Sequence, residues 1–319
     1  MSTSVPTDPQ PPIFLAGPTA SGKSSVALFL AEQLNGEIIS VDSMQVYRGL
    51  DIGTAKPTQE ERARVSHHLI DIVDLSESFD AARFIVLAGK AATEIQSRGH
   101  TPIFCGGTGL YFKAWLEGLG DAPPSDANLR AALEATQLDV LLKELECSDP
   151  VTFARIDRQN LRRVIRAIEV IRLTGKPFSG QRAKWSADAT QPPAVFFALR
   201  RDASDLHQRI DRRVELMFHL GLVEETRGLL NAGLKQNPTA MQAIGYRQVV
   251  EHLRGERSLQ QTMELVKIRT RQFSKRQMTW FRRQSAIEWI PVPPGTSLES
   301  IAHDLIRRMR SRAPRPGEN

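Results

Sequence analysis

Eight residues near the amino end, Gly17-Pro18-Thr19-Ala20-Ser21-Gly22-Lys23-Ser24, complete the spacing G-x-x-x-x-G-K-[ST]. Each type has a chemical reason. Glycine at position 22 lets the chain turn through dihedrals closed to other residues. The backbone N–H groups of the turn then face an anion, reinforced by the amino end of a following helix. Lys23 neutralises the outer phosphate, and the Ser24 hydroxyl suits Mg2+. Such a loop holds a di- or triphosphate, whether a nucleotide or another pyrophosphate. A nucleotide hydrolase of this type also carries a metal-organising acid at the end of a second strand. Asp42 is the nearest candidate.

A second stretch suited to binding is 267–283, KIRTRQFSKRQMTWFRR, with seven basic residues, no acidic one, and Phe273, Trp280 and Phe281 interleaved. Basic groups meet phosphates; aromatic rings stack unpaired bases or fill core. The uncompensated charge favours a nucleic-acid face. A membrane-surface helix would need a clean apolar stripe, which is lacking. The charge of the whole chain is biased the same way. Residues 1–110 hold 8 basic and 12 acidic side chains (net −4), and residues 111–319 hold 34 and 24 (net +10), giving the overall +6. A polyanion partner for the second part is expected.

These residues need a scaffold, and its alternation is legible. Residues 12–17 form a short apolar run before the glycine-rich turn, and 23–34 are helix-periodic up to Asn35-Gly36. Residues 37–42, 69–73 and 101–105 read as strands, with an amphipathic helix over 80–98. Strands alternating with helices predict an α/β fold with a parallel sheet. The pattern changes near Gly118. Residues 121–125 read as a linker, and 127–174 are helical without a convincing strand. Residues 194–199 return as a buried strand, 203–284 are mostly helical, and 287–292 form a last short strand. The expected organisation is a catalytic core of 1–120 with 194–319, carrying a helical insertion domain of 121–193.

The 319 residues are 41% hydrophobic and 24% charged, which excludes a disordered or collagen-like chain. No apolar run is long enough to span a bilayer, and the first dozen residues do not resemble a signal peptide. Two cysteines, Cys105 and Cys147, are too few for a disulfide framework or a zinc site. A cytoplasmic protein with reduced thiols, unattached to membrane and monomeric, is expected. His67 and His68 lack partners at metal-ligand spacing and are expected to be structural or supporting.

Longer segments are more specific. They are GPTASGKS at 17–24, VDSMQVYRGLDIGTAKP at 41–57, HHLIDIVD at 67–74 and GGTGLYFKAWLEGL at 106–119. Further on come LRRVIRAIEV at 161–170, TGKP at 174–177, HQRIDRRVELMFHLGLVEE at 207–225, QAIGYRQ at 242–248 and KRQMTWFRR at 275–283. From about Ile13 to Arg283 the chain resembles the bacterial tRNA dimethylallyltransferase (tRNA isopentenyltransferase) family. The string running from Asp42 to Pro57 is far more specific than the phosphate loop alone.

The resemblance implies a P-loop NTPase-like core with a helical insertion, in agreement with the alternation above. It implies transfer of the dimethylallyl group of dimethylallyl diphosphate to N6 of the adenosine immediately 3′ of a tRNA anticodon, with Mg2+ as the metal. The phosphate loop then holds the prenyl donor rather than ATP. Thr19, Lys23, Ser24 and the loop amides suit the leaving group, and Arg213 resembles a second clamp on it, with Arg209 and Arg212 as neighbouring alternatives. Asp42, at a strand's carboxyl end, is the expected general base and N6 anchor; a structural or metal-organising Asp is the plainer possibility. By the same resemblance Ser43, Met44, Gln45, Thr108 and Arg130 lie on the tRNA. So do Arg162, Arg163, Val164, Ile165 and Arg166, then Gln242, Ala243, Ile244, Gly245, Tyr246 and Arg247. The last such segment is Lys275, Arg276, Gln277, Met278, Thr279, Trp280, Phe281 and Arg282. The chain departs from the family at Gln159-Asn160, commonly Asn-Asp, and at Arg162, commonly Gln, which puts contacts of that Gln in doubt.

Three rival functions differ in what they leave unexplained. A small-molecule kinase explains residues 17–24 but not the basic second part. An adenylate isopentenyltransferase shares the chemistry on free nucleotide, against which the helical insertion and the 267–283 face speak. A non-catalytic RNA-binding protein leaves the intact loop and Asp42 unexplained.

Overall fold

The computed structural model describes residues 11–181, 195–284 and 286–312. The chain divides into two compact units, Met1–Phe112 with Thr190–Asn319, and Lys113–Ala189. Part of the segment expected to close the insertion, 182–193, lies outside the described residues.

The strands are β1 (Ile13–Ala16), β2 (Gly36–Val41), β3 (His67–His68), β4 (Thr101–Gly106), β5 (Val195–Arg200) and β6 (Glu288–Pro291). They form one parallel sheet in the order β3-β2-β4-β1-β5-β6. Because both faces of such a sheet are covered, its central strands are apolar throughout. Alternate side chains serve the two faces. Ile13 and Leu15 join the core formed with α1 (Lys23–Gln33) and α14 (Leu298–Arg312), through Val26, Leu30, Ile301 and Leu305. On the other face Phe14 lies in register with Phe104 and Phe196, at ring separations of 5.0 and 5.7 Å. Phe112 and Phe281 extend this aromatic layer.

Helices α2 (Gln59–Arg64), α3 (Ala81–Ser97) and α4 (Gly109–Glu117) complete the first part of the chain. The Lys113–Ala189 unit is helical, with α5 (Ala127–Glu134), α6 (Leu138–Ser148), α7 (Pro150–Arg155), α8 (Leu161–Thr174) and α9 (Phe178–Gln181). Its core is Leu133, Leu141, Leu145, Val164, Ile165, Ala167 and Ile168. After β5 come α10 (Ala203–His219), α11 (Leu222–Asn231), α12 (Tyr246–Leu253) and α13 (Leu259–Phe281).

The strand expected at 69–73 is not formed. Leu69 and Asp71 have φ of 62° and 55°, which no strand tolerates. The amides of Asp71, Ile72 and Val73 bond instead to the carbonyls of Gln45 and Val46. Pairing with β2 is confined to His67 and His68. Leu69, Ile70 and Val73 are buried and Ile72 is partly so, and it is burial, not extension, that their pattern records.

Candidate active site

The strand order reverses about β1, between β4 and β5, and such a sheet takes its ligand outside the carboxyl ends there. The segments leaving those ends are the loop 17–22 after β1, Asp42–Gln45 after β2, Gly106–Thr108 after β4 and Arg201 after β5. A cavity of about 370 Å³ lies among the first three of these, with α10 and α13 on its far side. Its lining includes Thr19, Lys23, Ser24, Asp42, Thr108 and Arg213.

Gly22 caps α1 with φ 96°, a conformation that favours glycine. A Cβ there would also lie 2.9 Å from Leu298 Cδ2. The Pro18 carbonyl accepts from Ser21 N (3.3 Å) and Lys23 Nζ (3.3 Å), so the loop closes on itself and the ammonium folds into it. Burial lowers the Lys23 pKa and the Arg213 charge lowers it further, while negative charge at Asp42 opposes both. Arg213 is likewise lowered by burial and supported by Asp42. Cations held in so dry a place gain from an arriving anion.

The three adjacent arginines of α10 separate cleanly. Arg213 lines the cavity. Arg209 Nε donates to the Ala20 carbonyl at 2.9 Å, outside the cradle. Arg212 is exposed. Cys105 also reaches the cavity wall; burial pushes its thiol up to about 12, and Sγ–H donates to the Lys23 carbonyl at 3.7 Å. Both cysteines are free thiols.

Asp42 opens a tight turn. Its Oδ1 accepts from Met44 N (2.8 Å) and Gln45 N (3.3 Å), which fixes the carboxyl plane. Among the described residues no hydrogen bond occupies Oδ2. Thr108 Oγ1 accepts from Ser43 N at 3.2 Å and ties this turn to the β4 loop. The Gln45 side chain accepts from Ser40 Oγ and donates to the carbonyls of Thr54 and Ala55. Lys56 is buried and holds the Tyr47 carbonyl, Asp51 and Asp71. Much of the specific string from Asp42 to Pro57 is therefore the framework that holds one carboxylate.

Gln277, expected on the tRNA, is buried. It accepts from Thr19 N and donates to the Gly107 carbonyl, both at 2.9 Å, bridging two loops of the site. The glycines of the β4 loop make room for α13. A Cβ at Gly107 would lie 2.2 Å from Gln277, and one at Gly109 would lie 2.3 Å from the Trp280 ring.

Several other expected contacts change role. Phe281 is fully buried in the aromatic layer, and Trp280 packs edge-on against it at 5.2 Å. Tyr246 is fully buried; its hydroxyl donates to Glu225 at 2.6 Å and accepts from Gly53 N at 3.0 Å. Ala243 is buried but reaches the cavity with Gln242 and Ile244, while Arg247 is exposed and pairs with Glu251. In the helical unit Val164 and Ile165 are core, so their side chains offer nothing to a ligand. Arg162 and Arg163 are exposed, whereas Arg130 and Arg166 both hold the buried Glu169. Asn160 caps α8 by accepting from Arg163 N.

The charge of α13 is also less free than its sequence suggests. Lys267 pairs with Glu215 and Glu264, and Arg271 with Asp211. The exposed basic residues on the helix and its end are Arg269, Lys275, Arg276, Arg282 and Arg283, with Thr279 exposed among them. Among the described residues none of these five cations pairs with a carboxylate, and Arg269 bonds Gln272. Phe273 is the exposed aromatic ring at the cavity, with the Arg276 guanidinium 5.8 Å above it. By composition Phe273 is one of three rings in 267–283; only its i, i+4 offset from the buried Gln277 places it on the cavity side. Arg201 has no sequence signal.

No helix among the described residues is long and apolar enough to cross a membrane. The family described as IPP transferase matches residues 45–284. The tRNA dimethylallyltransferase of Geobacter metallireducens is 48% identical over 88% of this chain and 92% of its own. The tRNA isopentenylpyrophosphate transferase of Bacillus halodurans has a solved structure that superposes with a TM-score of 0.68. It is 38% identical and covers 94% of this chain and 97% of its own. A eukaryotic dimethylallyltransferase acting on tRNA superposes with a TM-score of 0.76 at 28% identity, over 96% of this chain and 81% of its own. With a parallel P-loop NTPase-like core, a complete G-x-x-x-x-G-K-[ST] motif and this extent of similarity, the chain belongs to the IPP transferase family.

Proposed function

We propose that the chain is a tRNA dimethylallyltransferase, acting in the cytoplasm as a monomer. It transfers the dimethylallyl group of dimethylallyl diphosphate to N6 of the adenosine immediately 3′ of the anticodon and releases diphosphate. The observation that carries this reading is one cavity lined by Lys23, Ser24 and Arg213 together with the Asp42 carboxylate and the apolar Val214, Met217 and Val266. Cations for a departing diphosphate, an apolar wall for a prenyl chain and a base for an amine share one space.

The exocyclic N6 of adenine is a weak nucleophile because its lone pair is delocalised into the ring. An allylic diphosphate compensates, since C–O cleavage leaves a delocalised cationic carbon. Lys23, Arg213 and the loop amides stabilise the charge gathering on diphosphate, where a water-poor site makes them most effective. The N6–C bond forms as the C–O bond breaks, and Asp42 Oδ2 takes the N6 proton. Oδ1 is engaged by Met44 N and Gln45 N, so the carboxylate keeps its orientation as N6 arrives. The target base must leave its stack to reach this point. Phe273 and the cationic end of α13 are suited to the surrounding unpaired nucleotides and phosphates.

Mg2+ fits these residues. It keeps several waters and takes substrate phosphate oxygens, so few protein ligands are required. Ser24, exposed at the cavity wall, would hold it with the diphosphate, where it would neutralise part of the leaving charge.

The test is purified protein with dimethylallyl diphosphate, Mg2+ and an anticodon stem–loop, followed by nucleoside mass analysis. One prenyl group on the adenosine 3′ of the anticodon is expected. An unmodified stem–loop would refute the reading, as would prenylation of free adenylate in preference to RNA.

A further inference from the structure

Two arginines outside the cavity grip the back of the phosphate loop. Arg201, just past β5, is buried, and its Nε donates to the Ser21 carbonyl at 2.8 Å. A second nitrogen of the same guanidinium bonds Asp205 at 2.7 Å, one turn into α10. Arg209, four residues beyond Asp205, donates Nε to the Ala20 carbonyl at 2.9 Å. The two guanidiniums are close enough that Arg201 adds to the lowering of the Arg209 pKa by burial.

We propose that Arg201 and Arg209 are positioning residues for the diphosphate: by holding the Ser21 and Ala20 carbonyls outside, they aim Gly22 N–H into the cradle and keep Ser21 N–H on the bond that closes the loop. The reason is peptide planarity, since C=O and N–H point in opposite directions across a trans peptide. Holding the Ser21 carbonyl outward directs Gly22 N–H inward, toward the anion. Holding the Ala20 carbonyl outward directs Ser21 N–H onto the Pro18 carbonyl, the bond that closes the loop. Ala20 needs such restraint, because its φ of 64° is a conformation non-glycine residues seldom hold unaided. A flipped peptide here would turn a carbonyl oxygen toward the diphosphate and replace attraction by repulsion. Neither arginine lines the cavity, so neither needs to touch substrate. Asp205 fixes the fork of Arg201, so one helix of the second part of the chain supplies Arg209, the brace for Arg201, and the cavity cation Arg213.

The inference rests on the phosphate loop binding diphosphate, and the experiment keeps the two questions apart. Calorimetry measures binding of inorganic pyrophosphate, with Mg2+, to the full-length wild type, Arg209→Gln, Arg209→Lys and Arg201→Lys. Each variant is checked for folding by thermal melting, and binding of the anticodon stem–loop is measured in parallel. Arg209→Gln is expected to weaken pyrophosphate binding about tenfold, the order of one charge-assisted hydrogen bond, with Arg209→Lys recovering part of it. Stem–loop binding should be unchanged. The loss should persist at about 0.5 M potassium chloride, because it acts through a short bond rather than a screened charge. Unchanged pyrophosphate affinity in folded Arg209→Gln overturns the proposal, as does a loss that high salt abolishes. Should Arg201→Lys fail to fold, the Arg209 pair decides alone. Wild type that binds no pyrophosphate would instead refute the diphosphate reading of the loop.

Discussion

In the proposed reaction Asp42 is the residue on which the chemistry turns. Its two oxygens differ: Oδ1 is engaged by the turn amides, and Oδ2 is the atom proposed to take the N6 proton. Asp42→Ala removes both functions and should slow transfer by roughly 10²–10⁴, the usual contribution of a positioned base. Asp42→Asn can keep the turn, so it should bind tRNA better than Asp42→Ala and still transfer slowly. Single-turnover measurement with both substrates saturating separates these effects. A chemical step close to wild type in Asp42→Asn would remove the base assignment. A defect confined to donor binding and relieved by excess Mg2+ would make Asp42 a metal organiser instead. The loop and Asp42 are candidates by residue type and spacing alone, whereas Arg213 is singled out from Arg209 and Arg212 only by the family resemblance and by its place on the cavity wall. Arg201 could not be named from sequence, since its role depends on a carbonyl 180 positions away.

At the scale of elements, α13 illustrates what a charge count misses. Seven basic residues lie between 267 and 283. The acids that neutralise Lys267 and Arg271 are Asp211 and Glu215 of the adjacent α10 and Glu264 one turn earlier. Replacing Lys275, Arg276, Arg282 and Arg283 by Gln should weaken stem–loop binding and reduce its log–log salt slope by about 0.7–0.9 for each phosphate no longer neutralised. Replacing Lys267 and Arg271 should leave that slope nearly unchanged and act on stability instead. Equal slopes for the two sets would mean that the ion pairs open on binding and that all six cations serve the RNA alike. The same blindness to partners explains the strand expected at 69–73. Leu69, Ile70 and Val73 are buried, yet Asp71 is drawn into ion pairs with Lys56 and Arg62, and the backbone turns at Leu69 and Asp71. Central strands were legible because burial on both faces gives a continuous apolar run. Buried loops such as 69–73 give a similar signal for a different geometry.

On the scale of the whole molecule, the sheet separates the candidate site from a buried charged cluster. The cavity lies at the carboxyl ends of the strands. At the opposite ends Glu37, near the start of β2, is buried and bonds His68, Arg98 and His100. Burial alone would raise its pKa, but these partners hold it down at about 2, against an ordinary value of 4.5. A carboxyl lowered in the folded state contributes stability that is full above its unfolded pKa and is lost as pH falls toward the folded one. Wild type should therefore lose melting temperature between about pH 5 and 2.5 more steeply than Glu37→Gln. Parallel curves for the two proteins would show that this cluster does not govern acid stability.

In the proposed function the phosphate loop of this chain serves a prenyl diphosphate. This assignment is tested most directly by competition in the transfer assay. Inorganic pyrophosphate should compete with dimethylallyl diphosphate, raising its apparent KM without changing the maximal rate, while ATP at the same concentration should have little effect. Tight ATP binding with Mg2+, accompanied by hydrolysis or phosphate transfer and by no competition from pyrophosphate, would contradict it.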